Sequence, residues 1–290
     1  MSYHLYKAAI FGSLISRVLL IKRILTRHHA SYNREYYPKA VKYDSFVNRL
    51  STDIVAISEN CKNELLHYES VPLNKITVIY HGLNFDDIDN ISIEDVDSLR
   101  AKYNLTKSDL VIGVISRYIH LKGIQYIIPA FEKLLKEYPN TRLVLANTVG
   151  DYSNKIKQLL KESLTENSYR EINFENNLFA LFRMFNVFVH VPINSSCEAF
   201  GQTYIESLAC GVPSIFTLSG IASEFIVDQK NALVVPYMDS EAIFNGMKRL
   251  INESNISVAI ASKGEEDVRN IFDIKSTVRK LENLYLNHGI

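Results

Sequence analysis

The chain has 290 residues, 47% hydrophobic and 22% charged, a globular composition with ample material for a core and a length that suits roughly two domains. Its 32 Lys and Arg balance 32 Asp and Glu, so net charge offers nothing to attract nucleic acid, and none is expected as a partner. Three cysteines (Cys61, Cys197 and Cys210) are an odd number without disulfide or metal-ligand spacing, which suits a reducing cytoplasm.

From the amino terminus, the apolar run Ala8–Ile15 is cut by Arg17, Lys22 and Arg23. It falls short of the ~20 apolar residues a membrane span needs. No small-residue cleavage site follows an unbroken apolar core, which argues against a secretory signal. The pattern predicts a helix over roughly 3–16 and a strand from Val18 to Leu25, ending at Thr26-Arg27-His28-His29. Two histidines at a strand's carboxyl end are placed to face a ligand, although paired loop histidines are more often a surface feature. Val41, Phe46, Val47 and Leu50 share one side of a helix predicted over 37–50. A buried strand, Asp53–Ile57, then leads to Ser58, a short helix over about 59–67 and the run Lys75–Asn84.

Residues 85–107 read as an acidic linker. Asp87-Ile88-Asp89 and Asp95-Val96-Asp97 have the Asp-x-Asp spacing of a metal motif, but neither follows a buried strand. They read as solvated charge, and no metal is expected. Strand Leu110–Ile115 follows, then Ser116–Gly123 and an amphipathic helix to about 137. Arg117 and Lys122 at such a strand end suit a pyrophosphate: arginine forks onto two oxygens and lysine acts as a point charge. Solvated loop cations are the plainer alternative. Strand Arg142–Ala146 leads to a loop ending at Gly150, and Asn173–Asn177 falls near where a base would lie.

Val187–Pro192 is a buried strand and its exit, followed by Ser196-Cys197-Glu198-Ala199-Phe200-Gly201-Gln202-Thr203-Tyr204-Ile205-Glu206-Ser207-Leu208-Ala209-Cys210-Gly211-Val212-Pro213. Ile205, Leu208 and Ala209 recur at helical spacing, and Gly211 with Pro213 stops the helix before strand Ser214–Thr217. Strand, loop, helix, strand is the parallel-sheet unit whose ligands bind at the strands' carboxyl ends. A helix start offers free N–H groups to a phosphate, and Gly201 has no side chain to hold a ligand away. Glu198 and Glu206 could accept hydrogen bonds from a ribose and a second sugar. Taken alone, the two could equally be a solvated loop residue and an exposed helix residue. Residues 219–224, a last strand in Asn231–Pro236 and helices over about 239–252, 256–271 and 273–287 complete the chain.

The stretch Glu198–Pro213 resembles the signature of the retaining glycosyltransferases of family 4, with the GT-B fold. The match runs through both glutamates, the Phe-Gly between them and the terminal Gly-x-Pro, and the wider likeness covers about 15–275. It implies an α/β fold of two Rossmann-like domains with parallel sheets: a partial acceptor-side domain over 1–90 and a donor-binding domain over 91–272. A terminal helix over 273–290 would cross back to the first domain. It also implies roles for single residues. Thr26-Arg27-His28 matches a Thr-x-His element that faces the donor sugar, which makes His28 the candidate and His29 the fallback. Arg117 and Lys122 would bind the donor diphosphate, and Glu198 the transferred sugar's hydroxyls. Glu206 would hold the ribose, with Phe200, Gly201, Gln202 and Thr203 around the donor. Gly150 stands where a glycine-rich turn is common, and Glu224 completes a Gly-x-x-x-Glu turn beside the donor. Ser58 and the run to Asn84 match first-domain elements, with His81 where Asn is usual.

The chain also departs from the family. Only about three strands precede residue 85, and the first strand and glycine-rich acceptor loop are absent. A misassigned start, a fragment, or a second chain completing the first domain would each explain this. The expected activity is transfer of a sugar from a UDP- or GDP-sugar to a glycan or lipid-linked acceptor, with retention and without a further cofactor. Bacterial surface polysaccharide or lipopolysaccharide assembly, with at most peripheral membrane contact from the cytoplasm, is the family-level setting. A non-catalytic nucleotide-sugar-binding chain and a nucleotide-sugar epimerase on the same fold are the alternatives.

Overall fold

The structure, a computed structural model, describes residues 2–3, 11–12, 15, 18–19 and 21–287. Ten strands form two wholly parallel sheets among these residues. The first sheet has the order β1 (Ser2–Tyr3), β2 (Ile24–Arg27), β3 (Asp53–Ala56), β4 (Ile76–Val78). The second has six strands in the order β10 (Leu233–Val234), β9 (Ser214–Phe216), β8 (Val187–His190), β5 (Leu110–Ile115), β6 (Thr141–Ala146), β7 (Tyr169–Ile172).

Central parallel strands are covered on both faces and so read as continuous apolar runs. Val111–Ile115 and all of Val187–His190 are buried accordingly. The Ile124–Glu137 helix covers one face with Ile124, Ile127, Ile128, Phe131 and Leu134, spaced as a single helical stripe. The opposite face belongs to a core cluster that includes Phe188, Tyr204 and Phe216 and continues into the first domain through Ile54, Ile57 and Cys61. The Ile274–Asn287 helix lays Leu281, Leu284 and Tyr285 against Ile24, Val55 and Ile79 of the first domain.

Three sequence expectations change. The helix expected over 3–16 falls largely outside the described residues. The strand expected from Val18 to Leu25 is instead Ile24–Arg27, while Val18 and Leu19 are 82% and 60% exposed. Pairing fixes this shift: Ile24–Arg27 run in register with Asp53–Ala56, and Arg27 enters the interior because Asp44 and Glu69 neutralise it. Second, Phe46 lies on the exposed side of the Pro38–Leu50 helix, which buries Val47 as expected but Asp44 and Asn48 in place of Phe46. Third, the acidic linker is helical, over Phe85–Asp89 and Ile93–Lys102. Ser92 and Asp95 form a reciprocal capping box that starts the second helix.

Candidate active site

The second sheet starts at its centre with β5, builds outward through β6 and β7, and returns to β8 on the other side of β5. The crevice at the carboxyl ends of β5 and β8 is therefore a topological switch point, where open parallel sheets bind ligands. Arg117, Lys122, Glu198 and the start of the Gln202–Ala209 helix lie in the segments that follow these two strands.

On the β5 side, Arg117 is exposed, and its guanidinium makes no hydrogen bond among the described residues. Lys122 ends a short turn, His120–Lys122, that precedes the Ile124–Glu137 helix. Its ammonium is paired with Glu198. Gly150 closes the loop after β6 against the Arg117 loop. A Cβ there would lie 2.1 Å from the Tyr118 carbonyl oxygen, so a side chain would force the two loops apart.

On the β8 side, Glu198 is buried, and its own N–H donates to the Ser219 hydroxyl at 3.0 Å. Two donors converge on its Oε1: the Lys122 ammonium, and His190 Nε2 at 2.9 Å. Burial pushes the Glu198 carboxyl up, but Lys122 and His190 beside it outweigh this and hold it at about 2. Its Oε2 has no hydrogen bond among the described residues, so an ionised acceptor oxygen remains for a ligand hydroxyl. Gly201 then turns the chain with φ +87° into the Gln202–Ala209 helix, and a Cβ there would meet the Tyr204 ring at 2.6 Å. Gln202 and Thr203 open that helix half-buried, at its positive end. Glu206, one turn further, is also half-buried, and burial pushes its carboxyl up to about 7. No side chain bonds to that carboxylate among the described residues. The signature thus holds two glutamates in contrasting states: one locked as an anion, the other short of partners.

The first domain closes over this crevice. The His28 ring, just beyond β2, stacks on His81 with centroids 5.5 Å apart. His81 in turn meets Phe200 edge-on at 5.0 Å. His29 turns elsewhere, its Nε2 lying 3.2 Å from Asp44 and 2.9 Å from Asn33, so His28 is the histidine on the crevice side. Asn60 donates to the Glu198 carbonyl at 2.7 Å, and the Ser58 hydroxyl donates to the Ala199 carbonyl. Glu224 faces the first domain: its carboxylate accepts from Tyr80 OH at 2.7 Å and from Glu59 N–H at 2.8 Å. The same Ser58-Glu59-Asn60 turn caps its own helix, with Ser58 Oγ accepting from Cys61 N–H.

Sequence reasoning passed over His190, Asn60 and Tyr80 as site residues. A histidine closing the apolar run Val187-Phe188-Val189 was the available signal, since a buried polar side chain needs a partner. Glu175, read as lying near a base, is engaged by Lys102, Tyr103 and the Asn177 N–H and is drawn down to about 2 despite burial. Three of the four aspartates of the linker's acidic pairs have structural partners as well: Asp89 binds Arg269, Asp95 caps its helix and Asp97 pairs with Lys107. No group of three His, Cys, Asp or Glu could hold a metal ion among the described residues. No helix among them is long and apolar enough to cross a membrane.

The glycosyl transferases group 1 family matches residues 95–267, more than half of the chain and all of the β5–β8 crevice described above. The chain belongs to that family. Within it, the chain is 30% identical over 241 residues to the capsular polysaccharide biosynthesis glycosyltransferase CapM of Staphylococcus aureus, covering 81% of this chain and 61% of CapM. It is 25% identical over 233 residues to the N-acetyl-alpha-D-glucosaminyl L-malate synthase of Bacillus anthracis, covering 80% of this chain and 58% of that protein. The chain thus spans about three fifths of the length of these curated relatives. Its fold is that of Anabaena HepE, solved in complex with UDP and glucose, with a TM-score of 0.89 at 19% identity. That superposition covers 98% of this chain and 76% of HepE. The group 1 chain is a GT-B protein: two α/β domains with parallel sheets.

Proposed function

We propose that the crevice binds a nucleoside diphosphate sugar, UDP- or GDP-linked, and that the protein transfers its sugar to a glycan or lipid-linked acceptor with retention. The observation that carries this reading is the contrast between the two signature glutamates. Among the described residues, Glu198 is an anion with one oxygen fixed and the other available, and Glu206 is a carboxyl raised by burial with no side-chain partner. Sugar and ribose hydroxyls are the donors that suit both.

As the bond from sugar to phosphate breaks, negative charge grows on the diphosphate and positive charge on the sugar. Arg117, Lys122 and the N–H groups at the start of the Gln202 helix would face the diphosphate, each fixed before the charge develops. One such donor is worth on the order of 3 kcal/mol in transition-state stabilisation. Glu198 Oε2 would hold a sugar hydroxyl and its charge would oppose the developing cation, while Glu206 would hold the ribose. His28 would close over the sugar from the first domain, backed by His81 and Phe200. Retention needs no side-chain nucleophile if the acceptor enters on the face the diphosphate leaves, with a phosphate oxygen taking its proton. The likeness to CapM supports a role in surface polysaccharide assembly, and a fold shared with HepE, solved with UDP and glucose, suits a nucleotide-sugar donor.

The test measures nucleoside diphosphate release from a panel of UDP- and GDP-sugars, with and without glycan or lipid acceptors, and reads the product's anomeric configuration by NMR. Acceptor-dependent release with retention is expected. Donor conversion without acceptor would point to an epimerase, and tight binding without turnover to a non-catalytic chain.

A further inference from the structure

Glu198 is held by two donors of different kinds, both on Oε1. Lys122 is a flexible ammonium on a turn, and in the reading above it also serves the diphosphate. His190 is the last residue of β8, 2% exposed, with its ring edge-on to Tyr204 at 4.7 Å and parallel to Phe188 at 6.3 Å. The imidazole cannot follow a ligand without unpacking the sheet. Its protonation follows from its neighbours. An ionised Glu198 only accepts hydrogen bonds, so Nε2 carries the proton. Nδ1 is buried with no hydrogen-bond partner among the described residues, and a second proton there would bury an unpaired N–H together with a charge. Burial likewise disfavours the imidazolium. His190 is therefore a neutral Nε2–H donor.

We propose that His190 is a positioning residue of the donor site, whose Nε2–H keeps Glu198 ionised and aimed at the sugar when Lys122 turns to the diphosphate. Lys122, the Tyr204 phenol and the Cys197 thiol are the other titratable groups facing this pair. Burial raises both the phenol and the thiol, so neither adds charge beside the pair near neutral pH. Without His190, a Lys122 drawn onto phosphate would leave Glu198 buried and unpaired, and the carboxyl would take up a proton. The proposal deepens the donor-site reading and rests on it for the movement of Lys122.

The test follows the Glu198 side-chain carboxyl by 13C NMR as pH falls, in wild type, His190→Gln and His190→Leu, each free and with UDP added. Wild type is expected to stay ionised to about pH 4 in both states, since paired carboxylates resist protonation. His190→Leu with UDP is expected to titrate at roughly pH 5 or above, as an unpaired buried carboxyl does. His190→Gln, which restores an N–H donor, is expected to return to wild-type behaviour, and the acid limb of the rate profile should move in the same order. A His190→Leu variant that stays ionised at pH 4 with UDP bound overturns the proposal. So does an Nδ1–H tautomer or an imidazolium in the 15N spectrum of wild-type His190 at pH 7, which needs no variant. Failure of UDP to bind wild type overturns the donor reading instead; the tautomer still reports on His190 in the free protein.

Discussion

Glu206 places a cost on the fold that varies with pH, and replacing it with glutamine measures that cost. Burial raises its carboxyl from 4.5 to about 7. Below about pH 4.5 the group is protonated in both folded and unfolded chains and contributes no pH dependence. Between 4.5 and 7 the unfolded chain ionises while the folded one keeps its proton, so stability falls as pH rises, and the full penalty is present above about 7. At ~1.4 kcal/mol per pH unit the shift corresponds to roughly 3 kcal/mol, reduced to about 2 by water reaching a half-buried group. Glu206→Gln keeps the shape and removes the charge. The variant should therefore gain about 2 kcal/mol over wild type at pH 8 relative to its difference at pH 4.5, read by urea denaturation at both. Donor affinity should move the opposite way, since hydroxyls donate best to an ionised carboxylate: wild type should bind donor more tightly above pH 7 than below, and the variant weakly at both. A stability gap of the same size at pH 4.5 and pH 8 would refute the account of Glu206 as a buried, partnerless acid.

Other substitutions read other parts of the site. Lys122→Ala removes a diphosphate contact and should lower turnover by more than ~10-fold; it also removes the cation beside Glu198 and should move that carboxyl up, both read from a steady-state pH profile. Gly201→Ala sets a side chain at φ +87° against the Tyr204 ring, which should cost ~1–3 kcal/mol of stability and most donor affinity, measured by thermal melts with and without nucleotide. Ser58→Ala removes the cap on Cys61 N–H and the tie to Ala199, with an expected loss of ~1 kcal/mol in denaturant titration. Tyr80→Phe leaves one oxygen of Glu224 without its donor across the domains and should cost ~1–2 kcal/mol in the same assay.

What the sequence disclosed follows from which forces act locally. The apolar run Leu110–Ile115, the stripe from Ile124 to Leu134 and the Glu198–Pro213 signature are local patterns, and each stands in the structure where its spacing put it. The start of β2 was not legible, because parallel pairing with Asp53–Ala56 selects Ile24–Arg27 over the more apolar residues before it. Arg27 inside a strand looks like a break until Asp44 and Glu69, distant in sequence, are seen to neutralise it. The linker's Ser92-x-x-Asp95 is a readable capping signal, hidden among the acidic residues around it. In the site, position and the family resemblance together brought out Glu198, Glu206, Arg117 and Lys122, but not the meeting of Lys122 and His190 on one carboxylate oxygen, which depends on β5 and β8 lying side by side. Glu224 stood beside the donor by motif alone, and the structure shows its carboxylate joined to the first domain through Tyr80 and Glu59.

The central claim is that the β5–β8 crevice is a nucleoside diphosphate sugar site built around the two glutamates. Calorimetric titration of UDP- and GDP-sugars into wild type and Glu206→Ala tests it most directly. The account predicts saturable binding of one donor class to wild type, weakened by at least ~10-fold in the variant through loss of the ribose contact. Binding of equal strength in both proteins would contradict it, as would the absence of binding by every donor in the series.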